Sequence, residues 1–131
     1  MFLIDSSAWI EYLRPKGSKG VKARVREILE KEKAVSCGVV VVEILRGAKD
    51  DRSFQMLKDT LLSLPQIPIE NTVIEKAAKY GFMLARKGKT VPTTDLLIAA
   101  AAEGKAVILH VDSDFETIGS IVSLKHEKID L

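Results

Sequence analysis

The feature that most restricts this chain's fold is an alternation of short apolar runs with longer segments of helical periodicity. Phe2 to Ile4 reads as a buried strand ending at Asp5, Ala34 to Ser36 as a very short second strand and Gln66 to Ile69 as a third. Ala106 to His110 is the clearest strand, and Ile121 to Leu124 reads as the last. Helices fill the intervals. The first, capped by Ser6 or Ser7, carries Ala8, Trp9, Ile10 and Leu13 and stops at Arg14-Pro15. Lys19 to Lys33 sets Val21, Val25, Ile28 and Leu29 at helical spacing among charges. In Gly38 to Gly47 four valines favour strand, but Glu43-Ile44-Leu45-Arg46 and the terminating Gly47 favour a buried helix, which is the reading adopted. Asp51 to Ser63 forms another helix. Asn71 caps a long one with Ile74, Ala77, Ala78, Phe82 and Ala85 as its apolar face, and Thr93 or Thr94 caps one running to Glu103. Strands alternating with helices predict an α/β domain with a mostly parallel sheet.

Composition narrows the class. The 131 residues suit a single domain, 1–131, long enough to bury its own core, and 47% apolar with 29% charged residues is a globular balance. A net charge of +2 demands no strongly charged partner. One cysteine, Cys37, excludes an internal disulfide and a C-x-x-C motif. The longest apolar run, Leu96 to Ala102, is far short of the ~20 residues of a membrane span, and Met1-Phe2-Leu3-Ile4-Asp5 is no signal peptide. A cytoplasmic protein with no membrane partner is expected.

Sites in open parallel sheets gather at the carboxyl ends of the strands. Asp5 directly follows the first strand; Asp112 and Asp114 follow the fourth; Glu43 lies in the helix after the second; Asp95 sits in the first turn of a helix tightly joined to the fourth strand. Each has a bland alternative as a cap, a turn former or, for Glu43, the partner of Arg46 one turn on. Taken together they converge on one edge of one sheet. Converging carboxylates repel unless one holds a proton or a cation sits among them, and the cation that prefers such oxygens beside phosphate is Mg²⁺ or Mn²⁺. His110 and His126 have no metal-ligand spacing and read as surface or edge residues; Cys37 reads as a small buried hydrophobe. No P-loop, dinucleotide-binding or nucleophile-elbow motif is present.

Four motifs resemble those of PIN-domain ribonucleases of the VapC toxin type: Leu3-Ile4-Asp5-Ser6-Ser7-Ala8-Trp9-Ile10, Val41-Val42-Glu43-Ile44-Leu45-Arg46-Gly47, Thr94-Asp95-Leu96-Leu97-Ile98-Ala99-Ala100-Ala101-Ala102, and His110-Val111-Asp112-Ser113-Asp114-Phe115-Glu116-Thr117-Ile118. Their order and spacing span essentially the whole chain. The resemblance implies a three-layer α/β/α sandwich, an endoribonuclease using one or two Mg²⁺ or Mn²⁺ ions, and a homodimer inhibited by a small antitoxin. It implies Asp5, Glu43, Asp95 and Asp112 as metal ligands and catalytic acids, with Asp114 a second candidate for the last position. Ser6, Ser7, Arg46 and Thr94 are candidate contacts to RNA or water. Hydrolysis of a phosphodiester by metal-activated water, leaving 5′-phosphate and 3′-hydroxyl, fits those groups. Lys16, Lys19, Lys22, Arg24 and Arg26, with Arg86, Lys87 and Lys89, are candidate anchors for the RNA backbone. The alternative of another class is a catalytically silent PIN-like subunit that binds RNA or a protein complex. A haloacid-dehalogenase-type phosphatase reading of Asp112-x-Asp114 lacks chain for its later motifs, and a receiver domain lacks the aspartate ending strand three.

Overall fold

In the computed structural model, which describes residues 1–131, five strands form one parallel sheet in the order β3-β2-β1-β4-β5. The strands are β1 (Phe2–Ile4), β2 (Ala34–Cys37), β3 (Gln66–Ile67), β4 (Val107–His110) and β5 (His126–Lys128). The helices are α1 (Ser6–Leu13), α2 (Lys19–Glu30), α3 (Gly38–Leu45), α4 (Asp51–Leu62), α5 (Asn71–Arg86), α6 (Thr93–Ala102) and α7 (Asp114–Gly119). From β1 the chain steps outward through β2 to β3, then returns past β1 to β4 and β5. Right-handed crossovers in those two directions put α1–α4 on one face and α5–α7 on the other, and the helices pack mainly within these two sets, with α3 also meeting α6. The result is an α/β/α sandwich whose strand order reverses between β1 and β4. A crevice opens at the carboxyl ends of two such strands, because their helices depart to opposite sides.

The core explains the sequence pattern. Leu3, Ile4, Ile108 and Leu109 are fully buried in the central strands, and α6 buries Ile98 and Ala99 to Ala102, so its alanine run belongs to a helix enclosed on most sides. The helix at Gly38–Leu45 wins over the strand propensity of its valines because Val40, Val41 and Ile44 form its buried face. Cys37 is buried and free.

Three expectations are corrected. The last strand is the polar His126–Lys128, not Ile121 to Leu124. The latter follow α7 in a turn, with Ile121 and Val122 N–H both donating to the Ile118 carbonyl. β5 is an edge strand pairing only with β4, a position that tolerates charge. The buried face of α5 is Val73, Ala77, Tyr80 and Leu84, whereas Ile74 and Phe82 are half exposed. Both stripes have helical spacing; Gly81 decides between them, because a Cβ there would lie 2.9 Å from Leu96 Cδ1, so α5 meets α6 along that line. The caps also shift by one or two positions: Asp5, Glu70 and Pro92 are the N-caps of α1, α5 and α6, and Ser6, Asn71 and Thr93 are first helical residues.

Candidate active site

Asp5 stands where β1 ends and α1 begins, 2% exposed. Its Oδ2 accepts from Ser7 N–H at 3.0 Å and from Ser7 Oγ at 2.6 Å, which caps the helix. Its Oδ1 is buried with no hydrogen-bond partner. Burial lifts the Asp5 carboxyl to about 6, with the Glu43 charge adding to it, while the Ser7 hydrogen bonds oppose the rise. Ser7 Oγ also accepts from Val111 N–H at 3.2 Å, tying the end of β1 to the end of β4. Ser7 is thus a brace between two strands. Ser6 Oγ donates to Glu43 Oε1 at 3.1 Å, which brings α3 to the same edge. Glu43 makes no ion pair with Arg46; Arg46 is exposed and forms none with any residue.

Across the crevice, carboxylate oxygens of Asp95, Asp112 and Asp114 lie within 4.8 Å of one another. Asp95 is buried in the first turn of α6. Asp112 Oδ1 accepts from Asp114 N–H at 2.9 Å, an Asx turn that carries both side chains into the crevice as α7 starts. Burial, then the charges of Asp5 and Asp112, then a hydrogen bond with Asp114, push the Asp95 carboxyl up to about 8. Burial and the Asp112 charge likewise raise Asp114. Without a cation, a proton has to be held within this group at neutral pH. Crowded oxygens on one side and an unpartnered, buried Oδ1 on the other are a donor set suited to a hard divalent cation. All five sequence-selected carboxylates therefore reach one edge. Thr94 is half-buried beside Asp95, and its hydroxyl makes no hydrogen bond within the chain.

Two other readings change. Lys22 Nζ donates to the carbonyls of Tyr12 (3.0 Å) and Arg14 (2.6 Å), closing the end of α1, and Arg24 pairs with Glu127 at 2.8 Å and with Glu27. Neither is a free cation. His110 is not at the surface but fully buried, its Nδ1 accepting from Asp112 N–H at 3.1 Å and its Nε2 lying 2.9 Å from His126 Nδ1. Burial, with the neighbouring His126, depresses His110 to about 4, so it is neutral at pH 7. The only sequence signal was a histidine two residues before Asp112 at the end of an apolar strand.

Comparison with known proteins agrees with this architecture. The family model described as PIN domain matches residues 2–120. Ribonuclease VapC11 of Mycobacterium tuberculosis and VapC ribonuclease Mb1587 of Mycobacterium bovis are each 38% identical over 130 residues, covering 95% of this chain and 96% of the relative. Among solved structures, VapBC2 from Rickettsia felis bound to a DNA fragment of its promoter superposes with a TM-score of 0.78 at 20% identity, over 98% of both chains. VapC20 of Mycobacterium tuberculosis, a toxin that cleaves the sarcin–ricin loop, gives 0.67 at 15% identity over 91% of this chain and 95% of that one. Sheet order, the crevice between β1 and β4 and the family match over residues 2–120 lead to one assignment: the chain belongs to the PIN domain family.

Proposed function

We propose that the protein is a metal-dependent endoribonuclease, the toxin of a VapBC-type toxin–antitoxin pair, acting in the cytoplasm. The observation that carries the reading is the pairing of an unpartnered, buried Asp5 Oδ1 with the crowded oxygens of Asp95, Asp112 and Asp114. The 38% identity to VapC ribonucleases supports the same chemistry. Asp5, Asp95, Asp112 and Asp114, with Glu43 at the margin, would hold one or two Mg²⁺ or Mn²⁺ ions. Such an ion supplies Lewis acidity toward water and toward charge developing on the phosphodiester. The residues themselves have separable tasks. Ser7 holds Asp5 through Oδ2 and leaves the buried Oδ1 uncommitted. Glu43, engaged by a single Ser6 hydroxyl, keeps an oxygen free to accept a proton from water. Thr94 and the uncommitted Arg46 are placed to meet RNA. Arg26, Lys87 and Lys89, exposed and without ion pairs, are better backbone anchors than Lys22 or Arg24.

A small antitoxin is the proposed protein partner. A groove of about 740 Å³ between α1, α3 and α4 has Leu13, Ile44 and Met56 on its walls and Glu43 at its margin, so a segment seated there would reach the acidic edge. The toxin–antitoxin complexes among the structural neighbours support such a partner. A homodimer is proposed from the half-exposed Ile74 and Phe82 on α5.

The test is incubation of the antitoxin-free protein with tRNA and rRNA in Mg²⁺, Mn²⁺ or EDTA, beside Asp5→Asn and Asp95→Asn. Metal-dependent cleavage leaving 5′-phosphate, lost in both variants, is expected. No cleavage of any RNA in either metal would shift the reading to a binding subunit.

A further inference from the structure

The His110–His126 pair serves none of the roles above, yet it touches the acidic edge from behind. The direction of its hydrogen bonds follows from the partners. A backbone N–H can only donate, so His110 Nδ1, at 3.1 Å from Asp112 N, is the acceptor and carries no proton. A neutral imidazole then has its proton on Nε2, which donates to His126 Nδ1 at 2.9 Å. The order of donors and acceptors is thereby fixed from β5 to the site. Packing holds both rings: His110 is fully buried, 4.9 Å from the Phe115 ring centre, and His126 lies over Gly119, where a Cβ would come within 3.4 Å of Nε2. Asp112, whose N–H is held this way, forms the turn that presents its own carboxylate and that of Asp114.

We propose that His126 is a positioning residue for the acidic edge: by accepting from His110 Nε2–H it locks the His110 tautomer whose Nδ1 holds the Asp112 amide, and so sets the Asp112–Asp114 turn. Removing the acceptor frees His110 to turn or change tautomer, and the turn loses its anchor. A protonated Nδ1 would repel the Asp112 N–H. The metal-holding role of the turn rests on the proposed function; the tautomer and the order of the turn do not.

The experiment uses His126→Asn, His126→Gln and His126→Leu in the full chain, with folding checked by circular dichroism. Asn can place an oxygen near the position of Nδ1, and Gln places its amide near that of Nε2. Nitrogen-15 shifts of the His110 ring should show Nε2 protonated and Nδ1 bare in wild type and His126→Asn, and a mixture in His126→Gln and His126→Leu. Calorimetric Mn²⁺ affinity should fall roughly 10-fold in Gln and Leu, the low end for an outer partner of a metal site, and return to within a few-fold of wild type in Asn. RNA cleavage should follow kcat, with KM for RNA unchanged. If His126→Leu fails to fold, the Asn–Gln pair carries the same contrast. A wild-type His110 protonated on Nδ1, or Mn²⁺ affinity equal in Asn and Gln, would overturn the proposal. A wild type that binds Mn²⁺ but cuts no RNA would count against the ribonuclease reading alone.

Discussion

At the end of β1, one carboxylate is fastened: Asp5 spends one oxygen on two hydrogen bonds from Ser7 and leaves the other buried without a partner. At the end of β4, three carboxylates are crowded: Asp95, Asp112 and Asp114 face one another, braced by a single Asx turn and, from behind, by His110. The first side is ordered by hydrogen bonds and needs no cation to stay in place. The second buries a carboxylate among like charges, a cost relieved by a proton on Asp95 or by a bound metal. A site built this way has geometry before its ion arrives, but stability is sacrificed until it does.

The sharpest way to break the comparison is to neutralise one carboxylate on each side. On the proposed function, Asp95→Asn and Asp5→Asn should each lower metal-dependent RNA cleavage by about 10³-fold, since either would remove a proposed ligand of the ion. Their stabilities should diverge. Asp95→Asn relieves repulsion and should raise the metal-free Tm by roughly 3–8 °C, whereas Asp5→Asn, which keeps a helix-capping side chain, should move it less. Calorimetry without metal checks both.

The second expectation concerns pH. The folded-state carboxyls of Asp5 and Asp95 lie near 6 and 8, above the ordinary value of about 3.9, so the folded state binds these protons more tightly than the unfolded chain. Their contribution favours folding most below about pH 4, is lost as pH rises through 6 and 8, and is fully adverse above that. The metal-free protein should therefore melt several degrees lower at pH 8.5 than at pH 5.5, and saturating Mn²⁺ should erase most of the difference. A metal-free Tm that rises from pH 5.5 to 8.5 would contradict the assignment of strain to the crowded side.

A smaller effect separates the two serines. Ser7→Ala removes both the brace on Asp5 and the acceptor for Val111 N–H, and should cost about 1–2 kcal/mol of stability and roughly 10-fold in Mn²⁺ affinity. Ser6→Ala loses one hydrogen bond to Glu43 and should change metal affinity little. The smallest difference is between cations. Arg46→Ala should reduce the salt dependence of RNA binding by about one ion at unchanged Tm. Lys22→Ala, which uncovers two carbonyls at the end of α1, should lower Tm and leave the salt slope alone.

Much of this was legible in the residues because chain order alone carries Asp5, Glu43, Asp95 and Asp112 to strand ends or first helical turns, and a parallel sheet brings those to one edge. What stayed hidden depends on contacts that periodicity does not encode. Ile74 and Phe82 share the helical period of the true core stripe on α5, and only the Gly81–Leu96 approach separates them. The polar His126-Glu127-Lys128 does not look like a strand, because an edge pairing with β4 is stabilised by backbone bonds and not by burial. Ser6 and Ser7 are equal as letters; the fold makes one a brace and the other a contact to Glu43.

The cation's place at the acidic edge is measured most directly by a crystal structure grown with Mn²⁺, located by its anomalous scattering. A peak is expected in the crevice between β1 and β4, contacted by Asp5 Oδ1 and by Asp95 with Asp112 or Asp114. A fully Mn²⁺-saturated crystal with no peak at that edge, or with the ion held away from Asp5, would contradict it.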